Sequence, residues 1–150
     1  MLRRFEAVFL ILAAGVALPA GAASTLRAVP TASAAALELG GNGGGSFTRI
    51  VRVAELEVVS DNPRGVVVEI SSGAIAKPGG DAVPFEVTAV LRGSPRPSAG
   101  DFLTPSGDTF RFVSPLPGRV LLTVYIRYTS AGILDPGTYS AALQISLSER

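Results

Sequence analysis

The residues able to do chemistry in this chain are carboxylates and guanidinium groups. Beyond the first few positions the acids are Glu38, Glu55, Glu57, Asp61, Glu69, Asp81, Glu86, Asp101, Asp108, Asp135 and Glu149. Two carboxylates held together can serve as an acid–base or glycosidase pair, but no spacing here selects such a pair. Asp61, Asp81, Asp101 and Asp135 stand in Gly-, Pro- or Ser-containing turn sequences, where Asp bonds its own backbone. Asp101 and Asp108 lack the ligand spacing of a calcium loop. The chain has no Cys, His or Trp, which removes disulfides, Cys/His zinc sites, thiol nucleophiles and imidazole-based triads. The expectation is a protein that is not an enzyme and carries no cofactor. With 13 Lys and Arg against 12 Asp and Glu, and with arginines spread along the chain rather than clustered, no nucleic-acid footprint is expected either. Gly40 to Gly45 lacks the Gly-Lys-Ser/Thr ending of a phosphate loop and reads as a flexible linker.

These residues need a scaffold, and 150 residues with 47% hydrophobic content suffice for one domain. Arg3 and Arg4 precede an uninterrupted apolar run, Ala7 to Leu18, followed by Pro19 and the small residues Ala20, Gly21, Ala22 and Ala23. That is the pattern of a secretory signal peptide, residues 1–22, with cleavage after Ala22 and Ala23 the next choice. The run is too short for a membrane-spanning helix, which needs about 20 apolar residues, so no membrane span is expected after cleavage. Cleavage removes Arg3, Arg4 and Glu6 and leaves a formally neutral chain. The destination is the periplasm, the cell surface or the medium. Residues 23–45 read as an N-terminal extension ending in the glycine linker, and residues 46–150 as the folded domain.

That domain reads as strands. Between Phe47 and Ser60 the apolar phase shifts from odd positions (Phe47, Val51, Val53) to even ones (Ala54, Leu56, Val58), which requires a bulge or a crossing between sheets. Asp61, Asn62, Pro63 and Gly65 form a turn motif that predicts a hairpin-like corner. Val66 to Ile70 is a β-branched run suited to an interior strand. Val83, Phe85, Val87, Ala89 and Leu91 alternate with polar or exposed positions, as do Val120, Leu122, Val124, Ile126 and Tyr128. Phe110 and Phe112 flank Arg111 in a shorter strand. Tyr139, Ala141, Leu143, Ile145 and Leu147 give the clearest half-buried strand. Tyr125 and Arg127 fall on the opposite face of their strand and read as sheet-surface packing, with a sugar- or partner-binding surface as the alternative. No helical period follows the signal peptide, and about seven short strands with Gly/Pro turns predict an all-β, immunoglobulin-like antiparallel β-sandwich.

Val58-Val59-Ser60-Asp61-Asn62-Pro63-Arg64-Gly65-Val66-Val67-Val68-Glu69-Ile70-Ser71-Ser72 resembles the Ser-Asn-x-x-Gly-Tyr-x-Val-x-Leu-Ser-Ser segment of spore coat protein U-like and pilin-like secreted domains. Leu134-Asp135-Pro136-Gly137-Thr138-Tyr139-Ser140-Ala141-Ala142-Leu143-Gln144-Ile145 is similar to their terminal Leu-Pro-Ala-Gly-Thr-Tyr-Ser-x-x-Leu-x-Ile strand. The resemblance covers residues 47–150. Val66 stands where the pattern has an aromatic, and the cysteine pair of many members is missing. The resemblance implies a structural or adhesive surface subunit that assembles by β-strand pairing, with itself, with related subunits or with a periplasmic chaperone. Tyr139, Ala141, Leu143, Ile145 and Leu147 are then the partner strand, and Thr25 to Leu39 is a weakly patterned, alanine-rich donor. The alternatives are that Tyr139 to Leu147 is the closing strand of a complete, monomeric sandwich, and that the chain is a free-standing β-sandwich module that binds a small ligand or glycan through loops such as Gly93 to Gly100.

Overall fold

A computed structural model describes residues 6–15 as backbone, and residues 23–40, 45–131, 134 and 136–150 in full. The strands are β1 (Glu6–Gly15), β2 (Ser24–Pro30), β3 (Phe47–Ser60), β4 (Val66–Ser71), β5 (Gly73–Ile75), β6 (Val83–Leu91), β7 (Thr109–Ser114), β8 (Gly118–Ser130) and β9 (Thr138–Glu149). Two sheets carry them, in the orders β1-β9-β4-β7 and β2-β3-β8-β6-β5. Every pairing is antiparallel except β1 on β9, which is parallel. The only helical segments among the described residues are two short 3₁₀ turns, at Ala32–Ala35 and Ala99–Asp101. Among those residues no helix is long and apolar enough to cross a membrane.

The apolar positions that alternate in sequence meet between the sheets. Leu122, Val124, Ile126 and Tyr128 of β8 face Ile70 of β4 and Leu143 and Ile145 of β9 in one buried cluster. β4, flanked by β9 and β7, buries Val66, Val67, Val68 and Ile70, as an interior strand does. Leu91 departs from the expected pattern. It is 53% exposed, because it ends β6 where the chain leaves the sheet.

The phase shift in β3 is a bulge. Register slips between Arg52 and Ala54, so Val53 and Ala54 are both buried side by side. A bulge strands carbonyls that the ladder would otherwise pair. Here Thr31 takes both: its N–H donates to the Val53 carbonyl at 2.9 Å and its hydroxyl to the Arg52 carbonyl at 2.6 Å.

Two expectations change. Ser24–Pro30, read as part of a loose extension, is instead β2, paired along its whole length with β3. Behind it Leu37 and Leu39, 3% and 0% exposed, plug the core. Their segment is held by the Tyr128 hydroxyl donating to the Glu38 carbonyl at 2.8 Å and by Ser130 donating to the Leu39 carbonyl at 2.6 Å. Burial pushes the Tyr128 phenol up to about 12, with Arg49 opposing and Glu38 adding to the shift. The motif Asp61, Asn62, Pro63, Gly65 closes no hairpin, since β3 and β4 lie in different sheets. It is an arch between sheets, in which Asn62 Oδ1 accepts the Arg64 N–H at 2.9 Å and the Gly65 N–H bonds the Asn62 carbonyl at 2.9 Å. Residues 16–22, with the expected cleavage point, residues 41–44 of the glycine run, and Asp135 lie outside the described residues.

Candidate partner-strand site

β9 begins at a turn pinned from the β5–β6 connection. Lys77 donates to the Pro136 carbonyl at 2.7 Å, and its ammonium lies 5.8 Å from the Tyr139 ring centroid. Gly137, at φ +142°, fits beside the Lys77 stem. At its far end β9 meets the arch, where the Arg150 N–H donates to the Gly65 carbonyl at 3.2 Å. The two segments that carry the resemblance, remote in sequence, are thus neighbours in space. Ala23 is also at the arch, its carbonyl accepting the Asp61 N–H at 3.3 Å.

The site residues Tyr139, Ala141, Leu143, Ile145 and Leu147 all point into the core and are buried. Their backbone faces the other way from that of their even-numbered neighbours. Ser140 exchanges both backbone hydrogen bonds with Ala76, at 2.9 and 2.8 Å, and N–H and C=O groups alternate edges along a strand. Even residues of β9 therefore pair toward β4 and Ala76, and the odd set pairs toward β1. The register runs Ala7↔Tyr139, Phe9↔Ala141, Ile11↔Leu143, Ala13↔Ile145 and Gly15↔Leu147. β1 is the outermost strand of its sheet and runs near β2 and the Ala32–Ala35 turn of the opposite layer. It closes one long side of the sandwich.

The loop considered for ligand binding is strapped to the outer face of the five-stranded sheet. Arg96 donates to the Ile50 carbonyl. Arg127 pairs with Glu86, donates to the Ala99 carbonyl at 2.6 Å and stacks 5.4 Å from the Phe102 ring centroid. Pro97 is buried beneath the loop. Arg127 thus does more than cover sheet surface, and its directly opposed register with Glu86 was the signal that sequence alone left hidden. Asp108 serves through its carbonyl, which accepts the Ser72 hydroxyl at 2.8 Å. Among the described residues no group of three acids, histidines or cysteines converges on a point that would hold a metal ion.

Asp101 caps its own turn, accepting from the Ser98 hydroxyl at 2.8 Å and the Ser98 N–H at 2.7 Å. Those bonds, the hydroxyl first, hold its carboxyl below the usual range against a small opposing effect of burial. Its contribution is present above the unfolded value of about 3.9 and is lost as pH falls through the lower folded value. In an NMR titration the Asp101 carboxyl and the Ser98 amide should share one midpoint below about 3.9, with the rest of the sandwich unchanged. A midpoint at or above that value means the cap does not form.

No protein-family profile matches this chain, and no curated protein matches it.

Proposed function

We propose that the chain is an exported structural or adhesive surface subunit, of the kind its spore coat U-like and pilin-like segments resemble, which assembles by accepting a β-strand beside β9. One observation carries this reading. The strand that covers the odd-numbered edge of β9 is Glu6–Gly15, and those residues lie within the expected signal peptide, all but Glu6 in its apolar run. Cleavage after Ala22 removes that strand. It uncovers the β9 edge along Ala141, Leu143, Ile145 and Leu147, which pairs with β1 here, and opens an apolar slot between the sheets. Unpaired edges and uncovered cores are both satisfied by one alternating peptide. The strand order supports an immunoglobulin-like arrangement, with β2-β3-β8-β6 in the places of A-B-E-D and β4 and β9 in those of C and F. The place of the last strand then falls to β1. A related subunit or a periplasmic chaperone is the expected source of its replacement.

Amide hydrogen exchange on the exported chain, after its N-terminus has been fixed by mass spectrometry, tests this directly. The amides of Ala141, Leu143 and Ile145 should be protected in the uncleaved chain and exchange far faster after export, while those of Ser146 and Ser148 stay protected by β4. An exported chain that retains residues 6–15, or equal protection in both forms, overturns the reading.

A further inference from the structure

We infer that this chain accepts a strand but has none to give, so that the occupant of its slot is a different polypeptide and not a second copy; the inference rests on the slot reading above. The shape of the occupant is set by what covers β9 here. It is ten residues, parallel to β9, in register from Thr138 to Leu147. After cleavage at Ala22 the segment ahead of the glycine linker runs from Ala23 to Leu39, and the fold has already used it. All seven residues of β2 are paired with β3. Pro30 has no N–H to offer a ladder. Thr31 serves the bulge carbonyls, and Ala34, Leu37 and Leu39 are buried in the chain's own core.

Releasing this segment to a neighbour would uncover its own core and return a shorter strand. Only Leu26 and Ala28 of β2 pack against the core, whereas β9 presents Ala141, Leu143, Ile145 and Leu147 to be matched. Nor is the exchange a domain swap, which conserves every contact, because β2 would leave β3 for a site beside β9. The other two sheet edges, β5 and β7, are three and six residues long. β9 itself becomes an edge once residues 6–15 are gone, but β4 holds its other side and keeps it from entering a second copy's slot; among the described residues no other edge strand fits.

The full chain, exported so that the cell does the cleavage, is titrated with a lysine-flanked peptide of the sequence of residues 6–15 and followed by light scattering and thermal melting. An Ala22→Arg chain, whose cleavage site is blocked, is the closed control. We expect one peptide per exported chain and a midpoint raised by about 10 °C at a hundredfold excess over Kd. A peptide of residues 24–30 should give no shift, the blocked chain should take up neither peptide, and no multimer should form as the exported chain is concentrated. A ladder of multimers that the 6–15 peptide dissolves overturns the inference while leaving the slot reading intact. A monomer that ignores the peptide overturns both.

Discussion

A Gly65→Val chain is expected to be recovered unfolded. Gly65 has φ +79°, a region that costs a β-branched residue about 1–3 kcal/mol by itself. Space is the larger obstacle. A Cβ there would lie 1.8 Å from the Ser114 carbonyl oxygen and within 2.9 Å of two Pro115 backbone atoms, and backbone cannot give way as a flexible side chain can. The arch cannot shift either, because Asn62 holds Arg64 and Gly65 in place and Arg150 bonds the Gly65 carbonyl. Strain and clash together exceed about 4 kcal/mol, a large part of the stability of a domain this size. Gly93, at φ +89° with nothing within 4 Å of its would-be Cβ, gives the contrast. Gly93→Ala should cost only about 1 kcal/mol. Urea titrations of the two variants measure the difference, and a Gly65→Val chain that melts within about 1 kcal/mol of the parent would show that the arch yields.

What could be read from the sequence is what the period of a strand encodes locally. The shift from Val53 to Ala54 announced the bulge because a two-residue period admits no other remedy within one sheet, and the odd set of β9 was plain for the same reason. The arch was legible as a turn, since Asn62 and Gly65 declare their backbone geometry. Its crossing between sheets was not, because turn residues specify local dihedrals and not which sheet receives the next strand. Ala34, Leu37 and Leu39 carry too little pattern to reveal a core role, which their contact with the far ends of β3 and β8 creates. The run Ala7 to Leu18 has no alternation at all, so the place of its part from Ala7 to Gly15 beside β9 depends on which edge remains unpaired after the other strands have formed. That same absence of alternation makes it read as an export signal, and the functional reading comes from setting the two facts together.

Leu143→Ala should separate the closed sandwich from the open one. Leu143 is 0% exposed at the middle of the odd set and aligned with Ile11 of β1. Truncating a fully enclosed leucine costs about 3 kcal/mol, from lost transfer energy and from the cavity left behind. In the uncleaved chain, where β1 closes the slot, the whole loss should appear as reduced stability. In the exported chain the slot is open, so Leu143 is packed on fewer sides and the same substitution should cost about half as much. The remainder should reappear when the slot is filled, as roughly tenfold weaker uptake of the 6–15 peptide, since about 1.4 kcal/mol corresponds to a factor of ten. Gln144→Ala, one residue on and exposed on the outer face, should change either quantity by less than about 0.5 kcal/mol. Denaturation of both forms, with peptide binding measured on the exported one, decides the matter. An equal cost in the two forms with unchanged peptide affinity would mean that Leu143 is enclosed whether or not residues 6–15 are present, and that the edge of β9 has no vacancy to fill.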